Sequence, residues 1–271
     1  VNGKDDDWKL CYNLAMKPIV TTSLGMNPNV VLQAQEIARK FGLVYLERGK
    51  KSVRSFLTEA DAVLVVYQDR LILEQKNGQR LFFHPDTAML RIKSGRDPLL
   101  EMVGEPPKTV LDCTMGLASD SLVLASGGHK VTALESSFWP HFIVSHGLQT
   151  GDTGNALLNQ AMRSIQTVCA DSLTYLKTQP SKSVDVIYFD PMFSEDIKES
   201  LNLAGLEALA NPARLTEEVV VEAKRVAKEK IILKAHFRDS IFEELGFLRQ
   251  VRPNQKFHYG QMILAKSEIS K

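Results

Sequence analysis

In the second half of the chain, four strand-like runs each end on a carboxylate. "KTVLDCT" reaches Asp112, "HKVTALE" reaches Glu135, "IQTVCAD" reaches Asp171 and "SVDVIYFD" reaches Asp190. Further candidate residues follow: Thr114, Gly116, Ser119 and Asp120 after the first run, Ser136 after the second, Ser172 after the third, Pro191 and Phe193 after the fourth. Carboxylates accept hydrogen bonds from hydroxyls and amines and attract cations, so a row of them suits a cationic, donor-rich ligand. Each also has an ordinary reading. Asp112 and Asp171 can cap the helices that follow, and Glu135 can be a solvated strand end. Their joint recurrence favours a site.

Such a row works only if one sheet delivers every strand end to the same edge. From residue 108 onward, strands alternate with helices: "ASDSLVLASGG" is a helix with a glycine stop, "SFWPHFIVSHGLQTG" is a helix with Pro140 in its first turn, and "LTEEVVVEAKRVAKE" is strongly amphipathic. The last of these leads into a fifth strand, "KIILKAH". This alternation implies a mostly parallel sheet whose ligands sit at the carboxyl ends of the strands. Upstream, the spacing predicts a helix from Pro28 to Phe41, capped by Asn27 and stopped by Gly42. "LVYLE", "AVLVVYQ", "RLILEQK" and "RLFFHP" read as strands, the last two joined through a two-residue "NG" hairpin. The fold class is therefore α/β. Residues 1–15 read as a disordered or expression-derived tail, 16–104 as a small N-terminal α/β domain with a linker between Ser94 and Lys108, and 105–271 as a Rossmann-like domain.

At 271 residues and a formal charge of +1, the chain can bury a substantial core, and a globally basic nucleic-acid coat is excluded. No stretch has the apolar length of a membrane span, and "VNGKDDDWKL" lacks the regions of a signal peptide, so a cytoplasmic location is expected. Cys11, Cys113 and Cys169 form no CxxC pair, and His84 and His236 have no partner spacing that indicates a metal. No metal is expected. A dinucleotide would ask for GxGxxG after the first strand and would be repelled by extra carboxylates near its pyrophosphate; here the turn has Gly116 but Ala118. S-adenosyl-L-methionine carries two cationic groups, no phosphate, two ribose hydroxyls and an adenine amine. An acidic rim suits it better.

Together "VLDCTMGLASDSLVLAS", "VTALESS", "ADSLTYL", "VIYFDPMF", "NPARL" and "KFHYG" resemble the class I S-adenosylmethionine-dependent methyltransferases, in particular the bacterial ribosomal RNA small-subunit methyltransferase J family. The resemblance spans roughly residues 80 to 262, including "LFFHPDTAMLRIK". It implies rRNA methylation at the exocyclic N2 of a guanine, with ribosomal RNA or the small ribosomal subunit as partner. It also implies that Ser119 and Asp120 lie at the cofactor's methionine end, Glu135 and Ser136 at the ribose, and Asp171 and Ser172 near the adenine, with Asp190 facing both cofactor and acceptor. The chain departs from the family at Ala118, at Ser194 in "DPMFS", and at "KAH" after the fifth strand.

The chemistry of "DPMF" follows from the acceptor. An exocyclic amine has its lone pair delocalised into the base, and acceptors that hold its protons favour the nucleophilic, pyramidal nitrogen. Asp190 can supply one acceptor and the Pro191 carbonyl another, while Phe193 can stack on an extruded base. Lys234 can contact a phosphate or neutralise nearby carboxylates, and Tyr259 can shape the base pocket. Arg48, Lys50, Lys51 and Arg54 in "ERGKKSVR" are candidate RNA phosphate contacts. Three alternatives stand beside this reading: another nucleic-acid amine such as adenine N6, a protein group as acceptor, and a non-catalytic RNA-binding or ribosome-assembly factor that kept the fold.

Overall fold

The computed structural model describes residues 16–25, 27–191 and 214–264. Helix α1 (Pro28–Phe41) forms as its sequence requires: the Asn27 side chain accepts the Asn29 N–H at 3.0 Å, Pro28 opens the first turn, and Gly42 ends the helix at φ 62°. Its apolar stripe, Val30, Ala34, Ile37, Ala38 and Phe41, lies on a four-stranded sheet of β1 (Ile19–Thr22), β2 (Ala62–Val66), β3 (Leu71–Gln75) and β4 (Arg80–Phe82). The short helix α2 (Val53–Phe56) precedes β2. The order is β1-β2-β3-β4, with β1 and β2 parallel and the others antiparallel.

Several local expectations change. "LVYLE" is not a strand: Tyr45 makes an isolated bridge to Val20, because two hydrogen bonds around Val20 are all that the four-residue β1 offers on that edge. The β3–β4 turn is a three-residue loop rather than a two-residue one. The pairing Glu74↔Arg80 and the bond from the Gln75 N–H to the Gln79 carbonyl place Lys76, Asn77 and Gly78 in it, with Gly78 at φ 86°. The segment expected as a linker carries helix α4 (Pro98–Val103), whose Leu99, Met102 and Val103 are buried; with α3 (Asp86–Lys93) it packs on the larger sheet.

That larger sheet has seven strands: β5 (Thr109–Asp112), β6 (Lys130–Glu135), β7 (Gln166–Cys169), β8 (Val184–Phe189), β9 (Ala227–His236), β10 (Leu248–Gln250) and β11 (Phe257–Ile263). Their order is β10-β11-β9-β8-β5-β6-β7, all running the same way except β11, which is antiparallel to both of its neighbours, β10 and β9. The connecting helices are α5 (Ser119–Ser126), α6 (Phe138–Thr150), α7 (Ala156–Ser164), α8 (Ser172–Thr178), α9 (Glu217–Val226) and α10 (Ile241–Leu245). Helix α9 stops at Val226, short of the amphipathic pattern, because Ala227 already pairs with Val184 as the first residue of β9. β5 has β6 on one side and β8 on the other, so the strand order reverses at β5 and opens a crevice at the carboxyl edge.

Helix α6 joins the two sheets. Val144 and Leu148 enter the core of the large sheet, while Phe138, Trp139 and Ile143 enter that of the small one. Phe41 meets Phe138 and Phe142 edge-on, with ring centroids 5.1 and 5.0 Å apart. At Gly147 an added Cβ would lie 2.4 Å from the Phe83 side chain, so the missing side chain sets how closely the segment after β4 approaches. Because α6 starts directly after β6, this packing also fixes the helix end beside Glu135.

Candidate active site

Asp112 ends β5 and is 1% exposed. Its carboxylate accepts from Ser121 Oγ at 2.5 Å and from the Thr114 N–H at 3.0 Å, tying the strand end to α5. Burial pushes it up to about 7, against the pull of those two donors. The loop between β5 and α5 turns through Gly116 at φ 51° and Ala118 at φ 60°. Ala118 therefore takes the left-handed conformation usually left to glycine, at a cost of about 1–2 kcal/mol. Its methyl group is buried in the core.

Glu135 ends β6 and is 8% exposed. One oxygen accepts the Ser137 N–H at 2.9 Å and the other the Gly116 N–H at 3.3 Å, so two loops hold the carboxylate between them. Burial pushes it up to about 7, partly offset by backbone donors. Each carboxylate oxygen keeps a lone pair, enough for the two hydroxyls of a ribose. Ser119 opens α5 and Ser136 follows Glu135, both half-buried. Asp171 is exposed and caps α8, its Oδ1 accepting the Thr174 N–H at 2.9 Å, with Ser172 as the first helical residue. The capping reading of Asp171 is thus realised.

Asp190 follows β8 at the reversal point. Its N–H donates to Thr114 Oγ1 at 2.6 Å, which pins the start of the "DPMF" segment to the β5 loop. Lys234, on β9, places its ammonium 2.6 Å from Asp190 Oδ2 and 3.2 Å from Asp120 Oδ2. Asp120 also accepts the Tyr188 hydroxyl at 2.9 Å and pairs with Arg91, which in turn grips Asp97 at 2.8 and 3.1 Å. Alternating charges therefore run from Asp97 through Arg91, Asp120 and Lys234 to Asp190. Burial works to raise the Asp120 carboxyl, yet Lys234 and Arg91 hold it well below the usual range. For Asp190, burial and the neighbouring Asp120 outweigh Lys234 and push the carboxyl up. Burial would lower the Lys234 ammonium, but the two carboxylates keep it charged. Asp190 Oδ1 is buried with no hydrogen-bond partner among the described residues.

The fold thus gathers Asp112, Gly116, Ser119, Asp120, Glu135, Ser136, Asp190 and Lys234 around one crevice. Lys234 neutralises carboxylates, the second of its two expected roles. Asp120 has both oxygens committed to protein partners. Pro191 lies beside Asp190, whereas Phe193, Ser194 and Asn211 to Ala213 of "NPARL" lie outside the described residues. Tyr259 pairs in register with Lys234 and is 3% exposed, packed in the core beneath this edge. Arg48 is turned onto the backbone carbonyls of Lys51 and Thr22, Lys51 lies over the Phe56 ring, and Lys50 is exposed. Arg91, Asp97 and Tyr188 escaped sequence reasoning. Arg91 looks like a solvated charge on a short helix, and Tyr188 like one more apolar strand residue. Among the described residues no group of His, Cys, Asp and Glu could hold a metal ion, and no helix is long and apolar enough to cross a membrane.

Comparison with known proteins agrees with this geometry. The family model described as "Putative SAM-dependent methyltransferase" matches residues 52–249. The uncharacterized protein YpiP of Bacillus subtilis (strain 168) is 36% identical over 251 residues, covering 89% of this chain and 98% of that protein. The ribosomal RNA small subunit methyltransferase J of Pseudoalteromonas atlantica is 27% identical over 235 residues, covering 81% of this chain and 88% of that one. Among solved structures, a SAM-dependent methyltransferase of Neisseria gonorrhoeae superposes with a TM-score of 0.61 at 19% identity, over 93% of this chain and 99% of that one, which supports the fold. Since the family model spans most of the chain, including every strand end that lines the crevice, the protein belongs to the SAM-dependent methyltransferases and uses S-adenosylmethionine as its cofactor.

Proposed function

We propose that this methyltransferase modifies the exocyclic N2 amine of a guanine in small-subunit ribosomal RNA. The observation that carries the reading is Asp190 Oδ1, a buried oxygen without a partner among the described residues, at the end of β8, the strand beside the reversal at β5. A buried acceptor left unmet costs about 1–3 kcal/mol, so the position calls for a donor, and an amine N–H is one. The methyltransferase J relatives support ribosomal RNA as the source of that amine.

The residues present fit S-adenosylmethionine: Glu135 retains acceptor capacity for two ribose hydroxyls, and among the described residues no lysine or arginine pairs with it. When bound, the cofactor supplies an electrophilic methyl group on a sulfonium. Asp190 accepts one N–H of the amine and the Pro191 carbonyl the other, which favours a pyramidal nitrogen aimed at that methyl. Lys234 holds the Asp190 carboxylate in place, and the raised Asp190 carboxyl can take the proton released as the nitrogen is alkylated. In this reading residues 16–104 help to hold RNA in the cytoplasm and residues 105–271 carry the chemistry, with Arg91, on the helix α3 that packs against the larger sheet, paired to Asp120.

The test is transfer of labelled methyl to small subunits from a strain lacking the enzyme, followed by nucleoside identification. N2-methylguanosine is the expected product. Label in another nucleoside or in protein would overturn the assignment.

A further inference from the structure

β9 and β11 are antiparallel, so the turn from Val251 to Lys256 lies at the same sheet edge as the turn that follows β9. The two turns are joined: the Phe237 N–H donates to the Lys256 carbonyl at 2.8 Å, and Arg249 donates to the Phe237 carbonyl. With strands about 4.8 Å apart, this edge lies roughly 10 Å from Asp190. It carries Arg238, Arg249, Arg252 and Lys256. The nearby acidic groups are largely occupied, since Arg214 binds both Asp239 and Glu244 at 3.1 Å and Glu243 lies 3.6 Å from Arg249. Arg238 and Arg252 have no carboxylate partner among the described residues. Their guanidinium groups sit over the rings of Phe237 and Tyr259, at 5.1 and 5.5 Å.

We propose that this rim, built on Phe237, Arg238 and Arg252, grips the phosphodiester backbone of a single-stranded RNA segment beside the acceptor base. The inference rests on the RNA reading above and names the surface that serves it. A guanidinium stacked on a ring keeps its N–H edge for phosphate oxygens, and Phe237, 38% exposed, offers a face for a neighbouring base. The chain as a whole is near neutral, at +1, so RNA attraction needs a local cationic surface. Placing it next to the crevice delivers an extruded base to Asp190 while the acidic rim remains for the cationic cofactor.

The experiment is fluorescence anisotropy of a labelled oligouridylate of about 12 nucleotides with the full chain, over a potassium chloride series. Arg238→Gln with Arg252→Gln should weaken binding by roughly tenfold at low salt and reduce the steepness of log K against log salt by about 1.4. Calorimetry should find S-adenosylmethionine binding unchanged, which shows that the variant is folded. Arg238→Lys should keep the salt slope, and Phe237→Ala should weaken binding without changing it. If the wild type methylates small subunits but the double variant binds RNA with unaltered affinity and slope, the rim is overturned and the function stands. If the wild type neither binds nor methylates RNA, both fall. Equal binding of a polyglutamate peptide would also overturn the rim as an RNA surface.

Discussion

The Lys234 ammonium lies 2.6 Å from Asp190 Oδ2, while the other oxygen of the same carboxylate is buried without a partner among the described residues. One half of the group is thus anchored and the other left for a donor. Asp190→Asn keeps the shape but puts an amide donor where an acceptor is needed. Transfer should fall by roughly 10²–10⁴-fold, with cofactor affinity changed only a few-fold. Single-turnover transfer and calorimetry on the same preparation separate the two, and near-normal transfer would remove Asp190 from the chemistry.

Lys234 is the cation shared by Asp190 and Asp120. Lys234→Met leaves two close carboxylates of which, among the described residues, only Asp120 keeps a cation, Arg91, so stability should drop by on the order of 3–5 kcal/mol. The Asp190 carboxyl then rises further, since the charge that favoured its ionised form is gone. The acidic limb of the pH–rate profile should therefore move to higher pH, and Lys234→Arg should restore it. A profile unchanged in shape, merely lower, would assign Lys234 to packing alone.

Glu135, at about 7, is partly protonated at neutral pH, and ribose hydroxyls donate to its ionised form. Cofactor affinity should fall by up to about tenfold per pH unit below 7. Glu135→Gln should bind weakly and lose this dependence. The stability effect has the opposite sign: a carboxyl raised above its unfolded value of 4.5 takes up protons on folding, so its contribution is present at low pH and lost as pH rises through about 7. Urea titrations from acid to neutral pH should show the wild type losing more stability than Glu135→Gln. Parallel pH dependences in both assays would place Glu135 outside the cofactor site.

Ala118 holds φ 60° in the loop that faces Glu135. Ala118→Gly relieves backbone strain of about 1–2 kcal/mol but loses a buried methyl worth about 0.8 kcal/mol, so its melting temperature should barely move. Ala118→Val adds a branched side chain at a positive φ and should destabilise by at least about 2 kcal/mol, with weaker cofactor binding. Equal stability of the two variants would contradict the left-handed conformation.

Much of the frame is local and therefore legible. Alternation and helical spacing locate the five strands β5 to β9 of the large sheet, and Asn27 and Gly42 bound α1 to the residue. A strand-end carboxylate is visible wherever a strand stops, which is why Asp112, Glu135, Asp171 and Asp190 could be named together. Two of the exceptions share one cause. "LVYLE" and the first residues of β9 take their structure from what lies beside them, a short β1 in one case and Val184 in the other, and pairing across the chain leaves no mark on local periodicity.

The sequence by itself determined a row of acceptors at one sheet edge and, through its resemblance, the cofactor they suit. Only the tertiary structure decided how those carboxylates divide: Asp112 tied into its own loop, Asp171 used as a cap, Asp120 neutralised by Arg91 and Lys234, and Asp190 half satisfied. The physical reason is that a carboxylate's role depends on which cation or donor reaches it within about 3 Å. Arg91 stands 29 residues before Asp120 and Lys234 stands 114 after it, separations that become contacts only once the sheet and α3 are packed together.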